Sequence, residues 1–567
     1  MNLAHTHEIG KHPSLSRDNS ILEKLTLKEV VKINSQGPHW GECYKYGAPE
    51  RQQSFIGDNP KSQREKERAD LVDSTAAEAI QLLVSMIMSG VTPANSIWFQ
   101  AAPDGVDDIS KLTDGERWLE TVCQFMWRNI HAANFDSEAF ETITDVTVAG
   151  WGVLYTDIDH KEGGGYVFES WPIGSCWIGS SRPNGVVDII YREHEMTAEA
   201  MVNAYGEDKC ASDVVNAART EPERRFKLLH VIQPRKTKGA GQLNTDMAFA
   251  SYHVDLNHQI ILKESGYQEF PCSIPRLRRL PNSVYGNGQM SVALPDAKTC
   301  NELVRQTLRA ADMQICGMWI AEDDGVMNPH TIKVGPRKVV VANSVDSMKR
   351  LDDGVNFQIA EYLLNNLQNG IRKKLMADQL PPIGTQQMTA TEINTRVEII
   401  RQQLGPLYGR LQSEFLMPLL DRCFGLALRS GVLPPPPREL WGANLSFKFI
   451  SPLARAQRLD EVIATEQFVV ALTQFADVDK SVLDVVDLDA AANVVARGRG
   501  VPQSILRTDE EVDQLRTARQ KAMEEEKQKA MQQQMAQQMG GVIADGAKAA
   551  VTQDPSLITG MASEVMQ

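Results

Sequence analysis

The sequence predicts an α+β fold, and three observations carry that prediction. Apolar residues recur at helical spacing through residues 63–149 and again from Leu294 onward, whereas residues 151–195 and 226–278 break into short β-rich runs bounded by Gly, Pro and Asn. One apolar stripe (Ile393, Val397, Ile400, Leu404, Leu407, Leu411, Phe415, Leu419 and Cys423) advances by three or four residues throughout. It defines a helix on the order of 50 Å long at about 1.5 Å per residue. With 42% apolar and 23% charged residues over 567 positions, the chain has the makeup of a folded protein; its length suits roughly three or four domain-sized units.

Each element follows from local pattern. Residues 1–64 mix Pro, Gly, His and charge around one helical stretch, Asn19–Ile33, and read as an N-terminal arm ordered by partners. A helix over Gln63–Ser89 starts charged, turns apolar at Leu71, Ala79, Leu82, Leu83 and Met86, and stops at Gly90 and Pro93. Its apolar run, Ala79–Val91, is interrupted by Gln81 and Ser85 and falls short of the roughly 20 apolar residues a spanning helix needs, so it reads as a core helix. Amphipathic helices follow over Asp114–Ala132 and Asp136–Ala149, then strands such as Trp151–Ile158, Val186–Arg192 and Gln259–Lys263.

After Tyr285-Gly-Asn-Gly288 the period is helical from Leu294 to Cys316. A compact piece with strand-like Thr331–Val334 and Lys338–Ala342 comes next, then a helix over Val355–Ala377. Loop 378–388 leads into the long helix, which Thr389 or Thr391 caps and which the missing amide of Gly405-Pro406 is expected to kink. Pro434–Pro437 break the chain, Asn444–Ile450 alternates as a strand, and helices run from Leu453 to Arg497. Residues 508–539 are charged, then Gln- and Met-rich, helical by propensity but poor in packing groups.

Charge and motifs exclude several classes of function. A net charge of −14 argues against a surface that clamps nucleic acid, which needs clustered Lys and Arg, but is compatible with a duplex sliding past. The eight cysteines form no CxxC pair and the polar N-terminus resembles no signal peptide, so reduced thiols in a cytosolic protein are expected. No GxxxxGK[ST] cradle occurs, and Gly286-Asn-Gly288 lacks the third glycine of a dinucleotide site. His194-Glu195 is not followed by the second histidine of a zincin. The pair His253 and His258, with His5, His7 and His12, read as structural or solvated histidines. Asp477, Asp479 and Ser481 begin like a calcium loop, but Val482 and Leu488 occupy the positions that require Gly and Glu. Asp323-Asp324-Gly325 and Asp352-Asp353-Gly354 read as turns rather than as a two-metal nuclease site, and no GxSxG elbow is present. No catalytic residue, metal or cofactor is expected.

Several stretches in a fixed order carry a family likeness. They are Asp73-Ser-Thr-Ala-Ala-Glu-Ala79 through Trp98-Phe99, Trp171-Pro-Ile-Gly-Ser175, Asp188 through Ala198, and Tyr285 through Asp296 with Asn301-Glu-Leu303. Met388-Thr-Ala-Thr-Glu-Ile393, Leu404-Gly-Pro-Leu407, Leu411-Gln-Ser-Glu414, Pro418-Leu-Leu-Asp-Arg422 and Ser451 through Arg458 complete the set. Together they resemble the head-to-tail connecting, or portal, family of short-tailed bacteriophages, the podoviruses.

That resemblance implies a dodecameric ring at one capsid vertex, with an α/β wing, a helical stem, a small α/β clip and a helical crown. On this chain it places the wing at 65–293, stem helices at 294–316 and 344–377, the clip at 317–343 and a tunnel loop at 378–388. A long kinked wing helix and return strand take 389–450, the crown 451–507, and a helical or disordered tail 508–567. It further implies a non-enzymatic conduit for genome packaging and ejection, resident in the virion and made in the host cytoplasm. The implied partners are the terminase large subunit (the packaging ATPase), tail adaptor and nozzle proteins, major capsid and scaffold proteins, internal core proteins, and double-stranded DNA passing non-specifically.

Arg372, Lys373 and Lys374 are then candidate phosphate contacts, against a plain solvated helix end; Gln386, Gln387 and Met388 are candidates for a loop that brushes DNA. Met318 and Trp319 are candidate docking anchors on the clip, against packing in its core. The competing class is a virion-associated DNA-processing enzyme with metal-binding carboxylates, and a membrane-inserting pore is a third.

Overall fold

The computed structural model describes residues 37–55, 70–94, 96–103, 113–159, 161, 164–183, 185–235, 246–281, 283–316, 318–321, 348–351, 357–377, 405, 407–440, 445–449, 462–472, 486, 490–492, 495–496 and 509–553. Along the chain, helix α1 (Gly37–Gly47) precedes α2 (Thr75–Val91), strand β1 (Phe99–Pro103), α3 (Thr113–Ala132) and α4 (Phe135–Val148). Strands β2 (Leu154–Ile158), β3 (Tyr166–Ser170), β4 (Cys176–Gly179) and β5 (Ile189–Thr197) lead to two short helices, α5 (Ala198–Tyr205) and α6 (Ser212–Thr220). Next come β6 (Arg225–Pro234), β7 (Phe249–Asp255), β8 (Ile260–Tyr267) and the short β9 (Cys272–Ser273), β10 (Arg278–Arg279) and β11 (Gly286–Asn287). Helix α7 (Gln289–Cys316), β12 (Met318–Ala321), β13 (Met348–Leu351) and α8 (Phe357–Lys374) follow. A π-helical turn (Gln412–Leu416) runs into α9 (Met417–Arg429), and β14 (Leu445–Phe449) and α10 (Asp509–Gln553) close the order. The fold is thus α+β. The chain divides into two compact units, Met1–Val106 with Trp118–Arg458, and Asp107–Arg117 with Leu459–Gln567.

The alternation of residues 176–267 builds a five-stranded antiparallel sheet, β4-β5-β6-β7-β8. Period two sends Tyr191, Leu229, Val231, Ala250, Tyr252 and Val254 into one core and Phe226, Leu228 and Leu262 into another, where Met201, Val214 and Ala217 of α5 and α6 cover them. Thr197 ends β5 and caps α5, its Oγ1 accepting from Ala200 N–H at 3.3 Å. Neither helix is long enough for a 3.6-residue period to stand out from sequence. A second sheet, β3-β2-β9, packs beside α4, and β1 pairs antiparallel with β14, Phe99 opposite Phe449.

Helix boundaries differ from expectation where side chains compete for the backbone. The helix predicted over Gln63–Ser89 starts only at Thr75 among the described residues, because Asn301 Oδ1 accepts from Val72 N–H (2.8 Å) and Asp73 N–H (3.1 Å). From there α2 buries Ala76, Ala79, Ile80, Leu83, Val84, Ile87 and Val91 as a core helix; no described helix is long and apolar enough to cross a membrane. Residues 37–55, assigned to the arm by sequence, are packed instead: Trp40 lies 5.6 Å from Trp151 and 5.3 Å from Tyr285, centroid to centroid.

In the long helix Leu411, Phe415, Leu419 and Cys423 are fully buried, as the stripe predicts. Its expected kink site at Pro406 and its first turns, 389–404, lie outside the described residues. The described irregularity comes later. Met417 N–H donates to Gln412 O five residues back, just ahead of Pro418, which has no amide to offer Glu414 O. The strand-like Thr331–Val334 and Lys338–Ala342 and the helical Asn19–Ile33 also lie outside the described residues.

Candidate functional site

The antiparallel helices α7 and α8 pack on one another and are prolonged by the β12–β13 ladder, Met318 opposite Leu351 and Trp319 opposite Arg350. Helix α7 springs from a crossing of two backbones. Gly150 has φ +97°, and a Cβ on Gly286 or Gly288 would sit 2.1 Å from Gly150 O or 2.2 Å from Val148 O. Tyr285-Gly-Asn-Gly288 is therefore a packing motif, which accounts for glycines that match no phosphate cradle. The first turns of α7 bury Met290, Ala293, Leu294, Ala297 and Cys300. Asn301 locks the start of α2 to α7, donating from Nδ2 to Asp70 O at 3.0 Å besides its two accepted bonds.

Toward the β12–β13 end the pair exposes apolar side chains among the described residues. Ile315 is 82% exposed, Leu308 56%, Ile359 58% and Tyr362 67%, with Met313 and Leu363 exposed beside them. Burying such side chains is worth roughly 1.5–3 kcal/mol each, so a cluster left in water marks a contact surface.

The opposite end of α8 is basic, and the structure divides the three predicted residues. Lys374 is engaged: its Nζ pairs with Asp296 Oδ2 at 2.5 Å and its carbonyl accepts from Gln289 Nε2 at 2.5 Å. Arg372 and Lys373 are exposed and form no ion pair among the described residues. The helix closes in a Schellman turn, Met376 N–H donating to Lys373 O (3.1 Å) and Ala377 N–H to Arg372 O (2.8 Å), with Met376 at φ +59°. Gln386, Gln387 and Met388 lie outside the described residues, as do the side chains of Met318 and Trp319.

Neighbouring elements are joined by buried and partly buried ion pairs that isolated charges in the sequence gave no means to match. Arg276 donates to Glu414 through Nε (2.9 Å) and Nη2 (2.7 Å), and through Nη1 to Gly185 O and Val284 O. Arg51 grips Asp145 through Nε (2.8 Å) and Nη2 (2.6 Å), and Tyr44 Oη donates to the same carboxylate at 2.6 Å. Arg422 and Arg429 of α9 converge on Glu269. Burial works against ionising that carboxyl, but the hydrogen bonds and charges of Arg429 and Arg422 prevail and hold it below the usual range. Among the described residues no three His, Cys, Asp or Glu side chains cluster as metal ligands. Burial pushes the Cys123 and Cys176 thiols up to about 12, which disfavours the thiolate a nucleophile needs.

Exposed apolar side chains on two adjacent helices, in a frame tied by ion pairs, are the arrangement of a surface suited to contact with another chain. The chain belongs to the bacteriophage head to tail connecting protein family, whose model matches residues 32–506. It is similar to the probable portal protein of Bordetella phage BPP-1, 26% identical over 530 residues that cover 88% of this chain and 89% of that protein. It is likewise similar to the portal protein of Salmonella phage epsilon15, 26% identical over 559 residues, 95% of this chain and 97% of that one.

Proposed function

We propose that this chain is a portal subunit: twelve copies form a ring at one capsid vertex, and double-stranded DNA enters and leaves the head through its bore. The observation that carries this reading is the exposed apolar end of the α7–α8 pair, in a chain whose family match spans 32–506. In a ring, neighbouring copies of the pair cover Leu308, Ile315, Ile359 and Leu363 as the stem. Residues 65–293 and 389–450 form the wing, 317–343 the clip, 378–388 the tunnel loop and 451–507 the crown. Introducing charge at the stem tests this: the double variant Leu308→Asp, Ile315→Asp is expected to sediment as monomer where the wild type sediments as a ring. Unchanged ring assembly contradicts the stem assignment.

Arg372 and Lys373, repeated around the ring, make a cationic collar that touches phosphates without reading bases, while Gln386, Gln387 and Met388 of the tunnel loop brush the duplex. Replacing both cations by Gln is expected to weaken DNA binding by isolated rings and flatten its salt dependence. Deleting residues 384–387 is expected to impair packaging or retention of DNA. The clip, with Met318 and Trp319 as anchors, docks the packaging ATPase and afterwards the tail adaptor. The chain itself is non-enzymatic in this reading, and the partner ATPase supplies the driving energy.

A further inference from the structure

Four strands of the five-stranded sheet carry one row of basic side chains. In register, Arg192 of β5 stands opposite His230 of β6, His230 opposite His253 of β7, and His253 opposite Lys263 of β8. Adjacent strands lie about 4.8 Å apart, so the four side chains are immediate neighbours on one face. The two imidazoles in the middle stack, with centroids 4.1 Å apart and planes at 15°.

Among the described residues the pair's hydrogen bonds and ring contacts are to neutral groups, and the charges next to it in the row are cations. His230 Nε2 lies 2.9 Å from Ser251 Oγ, and His253 Nδ1 lies 3.0 Å from Tyr205 Oη of α5. His194, two residues along β5 from Arg192, adds a third imidazole beside the row. Two acids face the row: Glu169 of β3, which Arg192 holds through two bonds of 3.0 Å, and the buried Asp255, two residues along β7 from His253, which His258 Nδ1 engages at 2.7 Å. Trp171 covers the row, 4.5 Å from the Arg192 guanidinium and 5.7 Å from His230. It stacks in turn on Tyr155 of β2, 4.9 Å away, whose hydroxyl donates to Asp157 at 2.6 Å and meets that of Tyr267 at 3.0 Å. Asp157 then takes Arg422 of α9 at 3.4 Å.

We infer that this row is an acid-sensitive latch: with both imidazoles neutral it holds Trp171 and the β3-β2-β9 sheet against the five-stranded sheet, and protonation sets like charges side by side and releases that contact. Burial, with His253, His194, Arg192 and Lys263 adding to it, holds His230 well below the ordinary histidine value. Burial, aided by Lys263 and His194, pushes His253 down to about 4 from 6.5. An opened row titrates near the ordinary value, so the closed form keeps its full advantage above 6.5 and loses it as pH falls toward 4. For His253 alone that difference amounts to roughly a hundredfold or more in the open–closed equilibrium.

Hydrogen–deuterium exchange of the full chain at about pH 7 and about pH 4.5, corrected for intrinsic rates, tests the latch. Exchange in β2–β3 and β6–β7 is expected to rise on the order of tenfold on acidification while α4 stays protected. The double variant His230→Gln, His253→Gln is expected to lose that rise, and His253→Gln alone, at a half-buried position, to reduce it if the double variant does not fold. No local rise in the wild type, an equal rise in the variants, or loss of α4 protection in step with the sheet overturns the inference.

Discussion

Arg276 has a buried guanidinium, and its partners come from three separate places in the chain: Glu414 in the π turn, Gly185 in the β4–β5 loop, and Val284 ahead of β11. Arg276→Ala strands a half-buried carboxylate and two carbonyls at once, and is expected to cost about 3 kcal/mol, read as a lowered denaturant midpoint. Arg276→Lys is expected to recover little, because an ammonium cannot reproduce the two-pronged contact and reach both carbonyls. Met376 makes the opposite case. It sits at φ +59° to close the Schellman turn of α8, a conformation that costs a side-chain-bearing residue on the order of 1 kcal/mol. Met376→Gly is therefore expected to be more stable than Met376→Ala by about 1 kcal/mol in urea denaturation, a comparison that cancels the lost methionine packing. Sequence supplied the basic run Arg372 to Lys374 but not its division, since Lys374 is neutralised by Asp296, a residue 78 positions away.

At the scale of elements, the period-two runs and the long apolar stripe were legible because each repeats over many residues. The exceptions have local causes. Helix α2 begins late because Asn301 captures two amides, α5 and α6 are too short to show a period, and the π turn follows from Pro418. Gly286 and Gly288 stood out in the sequence as an incomplete dinucleotide motif and Gly150 not at all, because their use, a close crossing of two backbones at the root of α7, depends on a contact between segments far apart in sequence. Gly288→Ala is expected to destabilise the protein by at least about 2 kcal/mol in a thermal or denaturant melt. Gly165→Ala, where an added Cβ meets nothing within 4 Å, serves as the tolerated control.

At the scale of the whole molecule, the exposed apolar end of the α7–α8 pair has its natural explanation in an assembly, since a ring repeats every exposed contact and closes each copy against the next. Exposed Arg372 and Lys373 at the end of α8 are local cationic exceptions on a chain of net charge −14, and the proposed ring would repeat them around its axis. The family likeness was readable from motifs scattered over residues 73–458, many of which turn out to lie at packing junctions such as Gly286 to Gly288, Asn301, Glu414 and Arg422. Electron microscopy of the purified protein with class averaging tests the central claim most directly. Rings of about twelve subunits around an open centre are expected, the closed heterologous symmetry of repeated identical contacts. A uniform monomer at high protein concentration, even with scaffold protein added, would contradict it.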